Sequence, residues 1–152
     1  VVALVESRLA EVDCQDGFIL DGFPRTAEQY NKLEAMLARR KMPVDAVLFF
    51  SAPDNVIIER ISGRRVCKAC GASFHVKFKP SLSGDAVCDK CGGELYQRSD
   101  DNETSVAERL RQYAAMSRPL IERYKSQGLL RDLPATGKPD EVFALALKAL
   151  GV

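Results

Sequence analysis

Phe18-Ile19-Leu20-Asp21-Gly22-Phe23-Pro24-Arg25-Thr26 reads as a short apolar strand over residues 18–21, ending on a carboxylate. A glycine turn and a proline-fixed loop follow, and the loop presents one arginine. In parallel α/β sheets, ligands gather beyond the carboxyl ends of the strands. Gly22 lets backbone approach a ligand closely, Pro24 stiffens the loop, and Arg25 offers a planar fork for a phosphate. Asp21, at the strand end, is placed to face a metal ion or its waters. The same residues also describe an ordinary strand-to-helix connection with a surface arginine.

Outward from this stretch, helical and strand patterns alternate. Val2, Val5, Leu9 and Val12 have helical spacing over residues 1–12. Residues 27–41 predict an amphipathic helix with Tyr30, Leu33 and Leu37 on one stripe. Ala46–Phe50 is a continuous apolar run, as expected of a strand buried on both faces. Ser51 and Pro53 mark the start of a helix that stops at Gly63. After Asp100-Asp101-Asn102, an N-cap cluster with Glu103 close behind, a long helix reaches Gly128. A strand over 129–133 and an amphipathic helix with Val142, Phe143, Ala146, Leu147 and Leu150 complete the chain. The order α-β-α-β-α, insertion, α-β-α predicts a parallel α/β sheet with right-handed crossovers.

Length and composition fit one domain carrying an insertion. The 152 residues are 46% hydrophobic and 28% charged, with net charge +1, which exerts no global pull toward nucleic acid or membrane. No apolar run is long enough to span a bilayer, and the first residues lack the basic leader of a signal peptide. The expected location is cytoplasmic. The chain opens on Val1 rather than methionine, so its natural N-terminus is expected to lie elsewhere.

Residues 64–98 break the pattern, being poor in large apolar residues and rich in glycine, proline, serine and cysteine. Cys67-x2-Cys70 and Cys88-x2-Cys91 form two knuckles separated by seventeen residues. Four thiolates at this spacing predict a closed tetrahedral site with a structural ion. Zinc fits by softness and geometry, and an iron centre uses the same ligands. Two redox pairs are the plainer alternative. A metal would supply stability that this segment cannot draw from an apolar core. The segment has seven basic residues against three acidic ones, a net +4 that falls to +2 with four thiolates and one zinc. Such a flap attracts polyphosphate. A nucleic-acid-binding zinc ribbon is a rival reading, weakened by the internal position and by the lack of interleaved aromatics. Cys14 is predicted to pack or to stay a free thiol.

Gly22-Phe23-Pro24-Arg25-Thr26, Gly63-Arg64-Arg65, the cysteine knuckles and Gln97-Arg98-Ser99-Asp100-Asp101 occur in the order in which the adenylate kinase family carries them. Over residues 1–150 the chain resembles the bacterial type whose mobile lid holds a four-cysteine zinc site. The resemblance implies a parallel-sheet core like that of P-loop kinases, formed by residues 1–62 and 101–152, with residues 63–100 as a small inserted zinc-binding lid. It implies reversible phosphoryl transfer from MgATP to AMP, giving two ADP. Gly22, Arg25 and Gln29 would then serve AMP, Arg25 through the phosphate and Gln29 through adenine. Arg60 and Arg64 would engage ATP from the lid base, Phe74 and His75 would lie near the ATP ribose, and Lys138 would belong to the loop touching adenine. Arg98 and Arg109 would clamp the transferring phosphoryl group and face AMP, with Arg64 catalytic beside them. Asp21 would hold the Mg2+ shell, and Cys67, Cys70, Cys88 and Cys91 the Zn2+. Such an enzyme is expected to be a monomer at full length, with no nucleic-acid or membrane partner.

Each of these residues also has a plainer reading. Arg60 can favour a helix dipole, Arg109 can be a solvated helix charge, His75 a surface group, and Lys138 a loop charge. Pairing of Asp100 or Asp101 with lid-base arginines would help to set the balance between open and closed lid.

One family element is absent from these residues. No Gly-x4-Gly-Lys-Ser/Thr occurs, because Gly137-Lys138 is followed by proline and Asp132 stands where the first glycine belongs. The expectation is therefore a C-terminal part lacking the first strand and the phosphate loop, and not competent alone. A non-catalytic, zinc-stabilised nucleotide-binding module and a UMP or CMP kinase are the alternatives.

Overall fold

Thr26 begins the first long helix by accepting the Gln29 amide on its hydroxyl oxygen at 3.2 Å, an N-cap of the usual chemistry. In the computed structural model, which describes residues 1–152, the helices are α1 (Val2–Arg8), α2 (Ala27–Arg40), α3 (Asp54–Ser62), α4 (Glu103–Ser126) and α5 (Pro139–Leu150). The strands are β1 (Val47–Ser51), β2 (Arg64–Cys67), β3 (Ser73–His75), β4 (Leu95–Tyr96) and β5 (Leu130–Pro134). β1 pairs with β5, and a second sheet has the order β3-β2-β4. The Val47 amide donates to the Leu129 carbonyl, and the Ala135 amide to the Ser51 carbonyl. Residue numbers rise together along both strands, so β1 and β5 are parallel. β2 pairs antiparallel with β3 and with β4.

The chain divides into two compact units, Val1–Phe50 with Tyr113–Leu133 and Pro139–Val152, and Ser51–Gln112 with Pro134–Lys138. In the first, the stripe of α2 buries Tyr30, Leu33, Met36 and Leu37. Leu33, Met36 and Leu37 join Leu9 and Cys14 in one core, with Val5, Phe18, Leu20 and Phe23 against it. Tyr30 joins Leu120 and Tyr124 in another, supported by Val47, Leu129 and Leu130. Truncating a side chain as enclosed as Leu33 costs about 2–5 kcal/mol. In the second unit the core is small: Cys67, Phe74, Cys88 and Leu95, with Ala72 beside them.

The structure departs from the sequence reading in four places. Residues 18–21 form no strand. Phe18 and Leu20 pack inward while Ile19 is 96% exposed. The side chains thus alternate as in a strand, but no neighbouring backbone completes a ladder, and without a partner a strand is not defined. β1 is not buried on both faces: its residues are half-buried and Phe50 is exposed, because the sheet has only two strands and few side chains to cover it. Ser51 does not cap α3. It ends β1, where its carbonyl is held by Ala135, and Pro53 takes the cap position. The first helix ends at Arg8, and a 3-10 turn over Val12–Cys14 follows. There the Arg8 guanidinium binds the Asp13 carboxylate in a two-point fork at 2.6 and 2.8 Å and donates to the buried Cys14 sulfur. Val12 is left exposed.

Candidate metal centre and nucleotide sites

The two cysteine knuckles are copies of one backbone device. The Gly71 amide donates to the Cys67 carbonyl at 3.0 Å and the Cys67 amide to Ala72 at 2.9 Å; the Gly92 amide donates to the Cys88 carbonyl at 2.8 Å and the Cys88 amide to Gly93 at 2.9 Å. The turn requires positive φ four residues after each first cysteine, +72° at Gly71 and +70° at Gly92, where glycine carries no Cβ penalty. Because β2 and β4 pair at Cys67–Leu95, the knuckles face each other.

All four sulfurs lie within 4.8 Å of one another. Cys67 and Cys91 are 3.5 Å apart, and Cys70 and Cys88 3.7 Å. A tetrahedron of thiolates at about 2.3 Å from zinc has sulfur–sulfur edges of about 3.8 Å, so the donor set fits a four-coordinate soft cation without rearrangement. Without a cation the thiols compete. Amide hydrogen bonding from Cys70 and Ala69 pulls the Cys67 thiol down to about 6. Cys91, despite the Gly93 amide, is pushed up to about 12 by the Cys70 and Cys67 sulfurs. A divalent ion is the means of keeping four thiolates together.

Several predicted ATP-side residues sit in this same unit. Arg64, at the start of β2, forms a two-point fork with Asp101, and the bond to that carboxylate raises its already high pKa. Asp101 is completely buried. Gln97 secures the corner by donating 2.9 Å bonds to the Ser62 and Asp101 carbonyls. Arg60, on the last turn of α3, forks onto the carbonyls of Ala135, Thr136 and Gly137, which fixes the loop leading to Lys138. Arg109 pairs with Asp100 at 3.2 Å on exposed surface. Arg98 is exposed and forms no ion pair. Phe74 is a core residue, 7% exposed, with the Lys79 ammonium 5.8 Å from its ring centre. His75 lies opposite Arg64 in the β2–β3 register.

Of the predicted AMP-side residues, Gly22, Arg25 and Gln29 come together in the first unit, whereas Arg98 and Arg109 belong to the second. Asp21, Gly22, Arg25 and Gln29 line one groove of about 450 Å³, with Val1, Val5, Leu20 and Phe23 as apolar lining. The Arg25 amide donates to the Gln29 side-chain oxygen at 2.7 Å, and the Arg25 Nε to the Gly22 carbonyl at 2.6 Å. Gly22 has φ +65°, and a Cβ there would stand 2.6 Å from the Arg25 Nη2. The guanidinium therefore folds back over Gly22, where a side chain would push it aside. α2 supplies Gln29 through the Thr26 cap, so the helix start and the arginine loop form one rigid piece.

Two residues of these sites were given no site role from sequence. Glu59, the residue before Arg60, binds Lys77 at 2.5 Å and offers its carbonyl to His75. Gly63 stands so close to the His75 ring that a Cβ would overlap it. The glycine ahead of two arginines was the available signal, but it reads first as a helix stop.

The family model described as adenylate kinase matches residues 1–129. The chain is 49% identical over 154 residues to an adenylate kinase of Caldicellulosiruptor saccharolyticus, which spans all of this chain and 70% of that protein. It is 44% identical over 151 residues to an adenylate kinase of Syntrophobacter fumaroxidans, spanning 99% of this chain and 70% of that protein. Against an adenylate kinase of Symbiobacterium thermophilum it is 49% identical over 142 residues, 93% of this chain and 65% of the relative.

Proposed function

The chain belongs to the adenylate kinase family, whose members are nucleoside monophosphate kinases acting on nucleotides, and from that premise we propose how its residues divide the work. AMP occupies the groove lined by Asp21, Gly22, Arg25 and Gln29, with Arg25 on the phosphate and Gln29 on the base. ATP lies on the side of Arg60, Arg64, Phe74, His75 and Lys138. Arg98 and Arg109 serve the phosphoryl group in transit. Residues 63–100 act as the lid, and residues 1–62 and 101–152 as the core.

The observation that carries this reading is the groove itself. Three residues predicted to serve AMP, Gly22, Arg25 and Gln29, line a single cavity with Asp21 beside them, with the Arg25 backbone tied to Gln29 and its guanidinium free at both Nη atoms for a phosphate. Phosphoryl transfer needs alignment and positive charge more than covalent chemistry from the protein. Arginines on the 23–26 loop, α3, β2 and α4 supply that charge, and a closing lid would exclude water.

Cys67, Cys70, Cys88 and Cys91 hold Zn2+ as a structural ion; with all four positions taken by sulfur, no site remains for chemistry. Mg2+ enters with ATP and keeps most of its water, and Asp21 offers the carboxylate toward that shell. A cytoplasmic monomer at full length belongs to the same proposal.

The test is ADP formation from ATP and AMP by this chain, with UMP and CMP as competing acceptors and Arg25→Ala as the disabled variant. AMP-selective turnover that Arg25→Ala removes supports the reading. Binding of a bisubstrate dinucleotide polyphosphate without turnover would favour the non-catalytic nucleotide-binding module. Preference for UMP or CMP would overturn the assignment to AMP.

A further inference from the structure

Both nitrogens of the only histidine are engaged by backbone. The His75 Nε2 lies 3.1 Å from the Glu59 carbonyl oxygen, an atom that can only accept, so Nε2 carries the hydrogen. Nδ1 lies 2.9 Å from the Lys77 amide nitrogen and 3.1 Å from that of Phe78. Both are donors, so Nδ1 presents a lone pair. Together these contacts select the neutral Nε2–H tautomer. No nitrogen remains for a ribose hydroxyl.

The ring is also held on its faces. It stacks on Phe78 with centroids 4.4 Å apart and stands against Gly63. Around it, the Val76 amide donates to the Gly63 carbonyl at 3.0 Å, and Lys77 pairs with the Glu59 carboxylate. The turn over residues 75–79 is thereby fastened to the last turn of α3. That helix turn carries Arg60, and Arg64 faces His75 across the β2–β3 ladder.

We propose that His75 is a positioning residue: as a neutral Nε2–H imidazole it joins the 75–79 turn to the end of α3 and sets where Arg60 and Arg64 stand relative to each other. The consequence for ATP rests on the nucleotide assignment above, whereas the tautomer does not. Acid should release the joint. A second proton on Nδ1 would point at two N–H donors, and both bonds would be lost. The charged groups facing the ring are Glu59 from α3, Arg64 from β2 with its partner Asp101, and Lys77 and Lys79 from the turn.

Nitrogen-15 spectra of the imidazole in the whole chain at neutral pH test the first part. One protonated Nε2 and one unprotonated Nδ1 are expected; an Nδ1–H tautomer or a doubly protonated ring overturns the proposal. ATP binding measured by calorimetry tests the second. His75→Ala should weaken it about tenfold, the worth of one or two hydrogen bonds. His75→Asn, whose Oδ1 can accept the same two amides, should recover most of the loss and should not weaken further in mildly acidic buffer as the native chain does. If Asn binds as poorly as Ala, or if the native chain shows no greater acid weakening than Asn, positioning through Nδ1 is wrong. If the native chain binds no ATP, the nucleotide assignment fails, and the tautomer measurement alone decides the role of His75.

Discussion

The buried carboxylate of Asp101 receives Nη2 and Nε of Arg64 at 2.6 and 2.9 Å. The Asp101 side chain is 1% exposed, while that of Arg64 is 32% exposed. The two ends of the pair are therefore unequal. An arginine that loses its partner can still reach water, but a buried aspartate cannot. Arg64→Ala should cost more stability than Asp101→Asn, by roughly 1–2 kcal/mol, because it leaves a charge stranded. Denaturant titration of both variants and of the double variant measures this. Equal and additive losses would mean that the fork contributes nothing specific.

The metal centre predicts a localised collapse. The apolar core beside the knuckles consists of Phe74, Leu95 and two of the ligands themselves, Cys67 and Cys88. Without an ion nothing joins the two knuckles through their four sulfurs, so chelation should unfold residues 64–98 while α2 and its core survive. Hydrogen exchange should show protection lost in that segment and kept at Leu33 and Met36. Elemental analysis should find one zinc per chain, and Cys88→Ser should reproduce the effect of chelation. Retained protection after complete metal removal would refute a structural role for the ion.

These two sites were not equally legible in the sequence. The cysteine knuckles announce themselves because metal ligation needs fixed residue types at fixed short spacing. The stripe of α2 is equally readable, since Tyr30, Leu33 and Leu37 recur at the helical period and all are buried. Leu120 and Tyr124 keep α4 helical past Pro119, where the broken backbone bond costs about 3 kcal/mol, because burial of two large side chains offsets it. Residues 18–21 misled because an apolar run gives strand propensity but not a partner. Glu59 and Gly63 were invisible as neighbours of His75: their contacts join α3 to a turn beyond the end of β3, and only the folded chain creates that proximity.

Gly22 separates backbone strain from crowding. Its φ of +65° is nearly matched by Gly128 at +73°, but a Cβ at Gly128 meets nothing within 4 Å. Alanine at either position should cost about 1 kcal/mol from the left-handed backbone. Only Gly22→Ala should also displace the Arg25 guanidinium and weaken AMP binding, by about tenfold for the loss of an aligned charged contact. Matched thermal melting and AMP titration of the two variants would show it. If both leave AMP binding intact, the closeness of Gly22 to Arg25 has no bearing on the nucleotide.

Alkaline pH probes the core around α2. Tyr30 and Tyr124 meet edge to face with centroids 5.2 Å apart, and Gln127 donates to the Tyr30 hydroxyl at 2.9 Å. Burial pushes the Tyr124 phenol up to about 12, with the Tyr30 and Glu34 charges adding to it, and burial also raises Tyr30. An unfolded tyrosine ionises near 10. The folded value is the higher one, so the unfolded chain releases its proton first. The stability tied to Tyr124 is thus fully present below about pH 10 and is lost as pH rises from about 10 through about 12. The loss approaches about 2–3 kcal/mol for a displacement of that size. Denaturation midpoints across this window should fall more steeply for the native chain than for Tyr124→Phe, and phenolate absorbance should show a late component that appears together with unfolding. If every tyrosine titrates near 10 while the helical signal stays constant, the Tyr30–Tyr124 contact is open to solvent and this core is looser than its packing implies.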